Sequence, residues 1–309
     1  MNNGKVAWRG NYPALVSPFT KDGEIDEKKF IENIEILMSE GIHGCVVSGS
    51  NGESWALAGE ERLRLFKLAL ETVKGRIPVI GGTGSIITGD VIELTKAAGA
   101  LGVSGVMIMP PYYAQPNRRE VVAHFKAISD EAKTPILIYN SPKAAGFDVT
   151  ADVCEELADI EYICGIKQST PDFVQFETTV AAVGDRMIVF TGRSASRGLG
   201  AVLMGAEGFV SSFDPHVLGA EGISLFELSA SGKVAEARKV QERTLVLDSA
   251  LGKIGTGPAT MKAAMNILGR PGGYPRRPLQ PLTAAEENQV RVVLDGLGLL
   301  KSGRAAAAE

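Results

Sequence analysis

The sequence predicts an α/β fold: a (β/α)8 barrel, or TIM barrel, with a C-terminal helical extension. Three observations lead there. Short apolar runs alternate with segments of helical period over most of the chain. The runs are continuously apolar, which marks parallel strands covered by helices on both sides. Eight of them occur before the alternation stops near Gly232, the number that closes a barrel of about 250 residues or fewer. A doubly wound sheet is the rival arrangement of the same alternation.

Taken in order, the first run is 14–17 (Ala-Leu-Val-Ser), followed by a helix over 28–38. The second, 44–47, leads into Ser48-Gly49-Ser50-Asn51-Gly52-Glu53 and a helix over 60–73. The third, 78–81, runs into Gly81-Gly82-Thr83-Gly84, which fits neither G-x-G-x-x-G nor the P-loop and carries no nucleotide reading. The fourth, 105–109, holds Met107 and Met109, read as core, and precedes Pro110-Pro111-Tyr112-Tyr113 and a helix over 119–132. The fifth, 135–139, ends in Tyr139-Asn140-Ser141-Pro142, with a helix over 150–157 beyond. The sixth, 164–167, ends on Lys167. The seventh, 187–191, gives way to Thr191-Gly192-Arg193-Ser194, and the eighth is 208–211. Residues 1–232 are expected to form the barrel and carry the active site. Residues 233–309 are expected to pack on it as helices over 233–251, 258–268 and 283–299. The Gly/Pro-rich stretch 269–281 joins the last two, and the tail from about 301 reads as disordered.

Composition narrows the function. Apolar residues are 45% and charged residues 22% of the 309, ordinary for a soluble globular enzyme. A net charge of −4 argues against a general nucleic-acid or anionic-membrane binder. The three cysteines, Cys45, Cys154 and Cys164, form no C-x-x-C, so a reducing cytoplasm is the simplest reading. The N-terminus lacks the apolar core of a signal peptide, and no apolar run is long enough to span a bilayer. His43, His124 and His216 are scattered and read as structural, so no metal and no cofactor is expected.

In such a barrel the chemistry sits where strands end. There the unusual polar residues converge. Lys167 closes a short apolar strand, where burial disfavours the charged form of an amine. A neutral amine attacks ketones and forms Schiff bases. Taken alone, it reads more readily as a solvent-facing strand-end lysine. Tyr139 ends the preceding strand and could relay a proton, or simply pack. Ser50 and Asn51 lie in a Gly-flanked loop that is either a turn or a carboxylate-binding nest. Tyr112 and Tyr113 suit a pocket or an interface. Glu53 reads as a brace for its loop.

The motifs Gly49-Ser50-Asn51-Gly52-Glu53, Pro111-Tyr112-Tyr113, Tyr139-Asn140-x-Pro142 and Gly165-Ile166-Lys167 are in order and at the right strand ends. Through them, from about Tyr12 to Leu282, the chain resembles the dihydrodipicolinate synthase / N-acetylneuraminate lyase family of Schiff-base pyruvate enzymes. The resemblance implies a TIM barrel, usually a homotetramer, acting on small molecules: pyruvate with an aldehyde, or the 2-oxo acid that joins them. It implies that Lys167 is the Schiff-base lysine and Tyr139 the proton-relaying tyrosine. Ser50 and Tyr113 are implied as relay partners, Tyr113 lent across a dimer interface. Ser50 and Asn51 would hold the pyruvyl carboxylate, and Gly192 and Val210 would shape the pocket.

Departures bear on the substrate. Asn51 replaces a usual threonine, and Ala144 stands where dihydrodipicolinate synthases carry an arginine for the carboxylate of aspartate semialdehyde. Lys167-Gln168-Ser169, and Ile254-Gly255-Thr256-Gly257 followed by Lys262, look more like the neuraminate-lyase and keto-deoxy-sugar-acid branch. Ser169 and Arg193 are therefore expected to contact substrate, Arg193 at its distal end. The expected activity is cleavage, dehydration or condensation of a hydroxylated 2-oxo acid. The alternative is 4-hydroxy-tetrahydrodipicolinate (dihydrodipicolinate) synthase, and a further one is a non-catalytic pyruvate-binding barrel. A metal-dependent barrel hydrolase would need clustered His/Asp ligands at strand ends.

Overall fold

The computed structural model describes residues 6–300, so the tail expected to be disordered from 301 lies outside them. Eight parallel strands make the barrel: β1 (Gly10–Pro13), β2 (Cys45–Val47), β3 (Val79–Gly82), β4 (Gly105–Ile108), β5 (Ile136–Asn140), β6 (Ile163–Gln168), β7 (Ile188–Thr191) and β8 (Gly208–Ser211). Their hydrogen-bonded order is β1-β8-β7-β6-β5-β4-β3-β2. A parallel bridge of Ala14 to Val46, with the Leu15 N–H donating to the Val46 carbonyl at 2.9 Å, joins the two ends into a ring. The doubly wound alternative is thereby set aside.

The first strand corrects the sequence reading. It runs four residues earlier than the apolar stretch 14–17, through Gly10-Asn11-Tyr12-Pro13. Hydropathy misses it because its signal is close approach: a Cβ on Gly208 would lie 2.2 Å from the Gly10 carbonyl oxygen. Val16, part of the apolar stretch, is apolar for another reason. It packs into the core of the C-terminal helices.

Helices α1 (Glu27–Ser39), α2 (Gly59–Val73), α3 (Thr88–Leu101) and α4 (Arg118–Ala132) follow the first four strands. A short α5 (Pro142–Ala145) precedes α6 (Ala151–Ala158), and α7 (Phe173–Val183) and α8 (Ser194–Leu203) follow β6 and β7. After β8 come a short α9 (Phe213–Val217) and then α10 (Ala220–Ala230). Their apolar faces, with Phe30, Phe66, Phe125 and Phe176, pack against the outer face of the strands. Each such fully buried ring contributes about 1.5–3 kcal/mol. A capping box starts α4: the Asn117 side chain accepts from the Glu120 N–H at 3.2 Å, and Glu120 accepts from the Asn117 N–H at 2.9 Å.

A smaller core fills the barrel itself, from Trp8 and Tyr12 up through Ile80, Leu137, Ile188 and Phe190. The interior is thus packed, and open space remains only at the mouth. The extension, α11 (Val234–Leu251), α12 (Gly257–Ile267) and α13 (Ala284–Gly296), buries its own core of Leu247, Met261, Met265 and Leu294 against the barrel.

A fully buried ionic contact helps fasten the extension to the mouth. Lys262 of α12 is fully buried and pairs with the equally buried Glu53. Its Nζ also donates to the Ser17 carbonyl at 2.6 Å and the Tyr274 carbonyl at 2.9 Å. The other Glu53 oxygen accepts from the Arg276 N–H at 2.9 Å. Burial lowers the Lys262 pKa to about 8 despite the opposing pull of Glu53. Glu53 braces its loop, as its position suggested.

Candidate active site

The ladder between β5 and β6 slips by one residue. Ile136 faces Ile163, but Leu137 faces Gly165, so Cys164 is an extra residue on β6. This bulge resets the alternation of side chains. Beyond it, Tyr139 pairs with Lys167 in register, which in a parallel sheet puts both on the same face. Tyr139 packs with the barrel-interior cluster, so Lys167 turns toward the barrel mouth.

Lys167 is 4% exposed, and its Nζ lies 3.8 Å from the centroid of the Tyr139 ring. The positive charge of Lys167 is the main cause holding the Tyr139 phenol below its ordinary pKa. Burial opposes this, and hydrogen bonds from Ser50, Ser141 and Lys167 reinforce it. Lys167, Tyr139 and Ser50 therefore form one connected group, assembled from the ends of β6, β5 and β2.

Gly192, just past β7, is a glycine for a steric reason. A Cβ there would lie 1.9 Å from the Ser169 Oγ and 2.8 Å from the Lys167 Cε. The Ser169 hydroxyl is buried without a protein partner, as is that of Ser48. Ser48 adopts a left-handed backbone, φ 56°, as β2 turns into its loop. Val210 of β8 is buried in the barrel interior.

The other expected residues lie around this group. The Asn51 amide donates to the Ser212 Oγ at 3.1 Å and the Ala14 carbonyl at 3.5 Å, tying its loop to the ends of β8 and β1. Arg193 is exposed at the start of α8 and lines a hollow with Gly192, Ser212 and Asp248, outside the cleft that holds Tyr139. Tyr113 is 90% exposed on a left-handed backbone, φ 68°, and also lies outside that cleft.

The cleft itself encloses about 280 Å³. Ser48, Ser50 and Tyr139 form its polar end, while Trp55, Met107, Met109, Tyr112 and Ala144 line the rest. Met107 belongs to the barrel-interior core, as the sequence reading has it, and lines the cleft as well, while the roles of Met109 and Trp55 in the cleft are not signalled by hydropathy. The signal available was position: each follows or lies at the C-terminal end of a strand, where barrel sites are built. The histidines sit apart. His43 pairs with Glu227 at 2.8 Å, and His124 and His216 are buried, with pKa values depressed by burial to about 4. Among the described residues no three His, Cys, Asp or Glu side chains gather as a metal site.

The sequence profile of the dihydrodipicolinate synthetase family matches residues 7–297. The chain belongs to that family. It is a lyase of the family's class I type. A 4-hydroxy-tetrahydrodipicolinate synthase of Oceanobacillus iheyensis is 34% identical, over 95% of this chain and 97% of that one. A dihydrodipicolinate synthase of Acinetobacter baumannii, solved with pyruvate, superposes with a TM-score of 0.91 at 28% identity, covering 95% of this chain and all of the other. A monomeric dihydrodipicolinate synthase variant superposes with a TM-score of 0.89 at 31% identity, covering 95% of this chain and 98% of the other.

Proposed function

We propose that this family member forms an imine between Lys167 and pyruvate and joins the resulting enamine, reversibly, to an aldehyde. The observation that carries the reading is the Lys167 Nζ, buried at the barrel mouth 3.8 Å from the Tyr139 ring, with Ser50 hydrogen-bonded to the same tyrosine. The amine attacks the keto carbon, and water leaves after proton transfers through Tyr139. The iminium withdraws electrons, so C3 gives a proton to the Tyr139 oxygen and an enamine forms. C3 then attacks the aldehyde carbon, whose oxygen takes a proton from Tyr139. Water finally releases the 4-hydroxy-2-oxo acid from Lys167.

For the aldehyde, the name of the Oceanobacillus relative favours aspartate semialdehyde over the keto-deoxy sugar acids suggested by the sequence. Ala144, which lines the cleft where an arginine was expected of such a synthase, supports a second reading in which the aldehyde carries no carboxylate. Exposed Trp55, Ile86, Ile87 and Tyr113 on the loops after β2, β3 and β4 favour an oligomer, a tetramer by family resemblance, that covers this rim. A cytoplasmic site of action fits the three buried free thiols.

Borohydride reduction in the presence of pyruvate tests the reading. A stable adduct mapped to Lys167 by peptide mass is expected, and its absence overturns the Schiff-base mechanism. Tyr139→Phe should still form the adduct, but turn over about 10²- to 10⁴-fold more slowly.

A further inference from the structure

We infer that the second substrate of this site is an uncharged aldehyde with an apolar tail, aromatic or branched aliphatic, and that Ala144 sets this preference. The inference rests on the Schiff-base reading and narrows it. The reacting end of the cleft is marked by Tyr139 and Ser50, with the Lys167 Nζ 3.8 Å from the Tyr139 ring centroid. Away from it, the side chains that line the space are Trp55, Met107, Met109, Tyr112 and Ala144, none of them charged. A carboxylate placed among them would leave water and gain no counter-ion, which is costly.

The neighbouring cations do not supply one. Arg62 stands behind this wall, with one guanidinium nitrogen donating to the Gly84 carbonyl at 2.9 Å and another to the Ser54 carbonyl at 2.6 Å. Those bonds fix the backbone that frames the cleft and commit the guanidinium to it, and Arg62 is not among the residues that line the space. Arg193 lines a neighbouring hollow beside Asp248, beyond Gly192, and is not among the residues that line the cleft. Lys143 is exposed on α5 and does not line the cleft. The same lining has little to offer a polyhydroxylated chain: beyond Ser48, Ser50 and Ser54 it presents thioethers, rings and a methyl group. Thioethers and aromatic faces instead suit rings and branched alkyl groups, and methionine adapts to their shape.

Condensation adds the pyruvate-derived enamine C3 to the aldehyde carbon. The carbonyl π electrons move to oxygen, which takes its proton from Tyr139, and water cleaves the iminium to release the product and regenerate Lys167. No oxidant or reductant is required.

The test is a panel of benzaldehyde, 3-methylbutanal, glyceraldehyde and aspartate semialdehyde, each with pyruvate and the full chain. Pyruvate consumption and adduct formation at Lys167 are measured in the same samples. Benzaldehyde or 3-methylbutanal should exceed aspartate semialdehyde in kcat/KM by at least about tenfold. Ala144→Arg should reverse that order while leaving the pyruvate adduct intact. An adduct together with a preference for aspartate semialdehyde or glyceraldehyde overturns the inference and leaves the Schiff-base reading standing. An unchanged order in a folded Ala144→Arg protein overturns the role of Ala144. No adduct at all overturns the Schiff-base reading and the inference with it.

Discussion

Lys167 and Lys262 are both buried, and each ammonium lies near an aromatic ring: 3.8 Å from the Tyr139 centroid for Lys167 and 4.5 Å from the Phe19 centroid for Lys262. Their surroundings differ. Lys262 is held by a carboxylate and two main-chain carbonyls, one acceptor for each of its three protons. Lys167 has Tyr139, a group that can itself give up a proton, and a glycine where another residue would crowd its side chain. Both could look alike in sequence, as a lysine in an apolar segment. Saturated acceptors make a strut, whereas a mobile proton and open space beside the amine make a nucleophile.

Four substitutions would break or sharpen this contrast. The largest effect is expected from Lys167→Ala. Turnover should fall on the order of 10³-fold or more, with no borohydride adduct and little change in Tm. If Tm collapsed and activity survived in the folded fraction, the roles of the two lysines would be exchanged. Lys262→Met should do the opposite, costing about 3–5 kcal/mol in denaturant unfolding because it strands the Glu53 charge. The double variant with Glu53→Gln should recover much of that loss, and the folded fraction should still form the pyruvate adduct.

Asp214 offers a third case, a buried carboxylate with no opposing charge of its own. Its oxygens accept from the Ser212 N–H and the Ser194 hydroxyl, each at 3.1 Å, and burial raises its pKa to about 6 from 3.8. Between those values the folded chain binds more protons than the unfolded one. Its cost to stability is therefore fully present above pH 6 and is relieved as pH falls toward 4. Asp214→Asn keeps both contacts in reach, so it should raise stability at pH 7.5 by at most about 3 kcal/mol. The gain should vanish near pH 4 in thermal melts, and a pH-independent gain would refute the assignment. Smallest is Ser50→Ala. Losing one hydrogen bond to Tyr139 should slow turnover by about tenfold and shift the alkaline limb of the pH profile upward.

Much of this was legible from residue order. The alternation gave the barrel because two-sided burial leaves strands without polar positions, and seven of eight strands fall where the apolar runs lie. The first does not, since Gly10 and Gly208 meet by close backbone approach, which carries no hydropathy signal. Lys167 and Tyr139 were readable as neighbours because consecutive strands of a barrel pair. The rest of the cleft was not. Met107 is core as its position in β4 suggests, but it also lines the cleft, and hydropathy does not mark Met109 or Trp55 as lining it too. The keto-deoxy-sugar expectation came from short motif likenesses, which report nothing about the wall opposite Tyr139. Arg193 was expected at the substrate's distal end, but the turn from β7 into α8 leaves it exposed beside Asp248.

The slip between β5 and β6 has a consequence for how such a chain can change. Lys167 points into the barrel mouth because β6 absorbs its extra residue, Cys164, as a bulge and so keeps Lys167 opposite Tyr139. The spacing from Gly165 to Lys167, beyond the bulge, is therefore under tighter restraint than the side chains within it. Replacing Cys164 by another small residue leaves the reading frame of the sheet intact. Deleting it would merely remove the bulge and leave Lys167 opposite Tyr139, whereas one further residue between Gly165 and Lys167, not absorbed by a second slip, would keep the lysine, the tyrosine and the serine in the sequence and turn the lysine out of the barrel. In this strand the count of residues, more than their identity, keeps the chemistry in place.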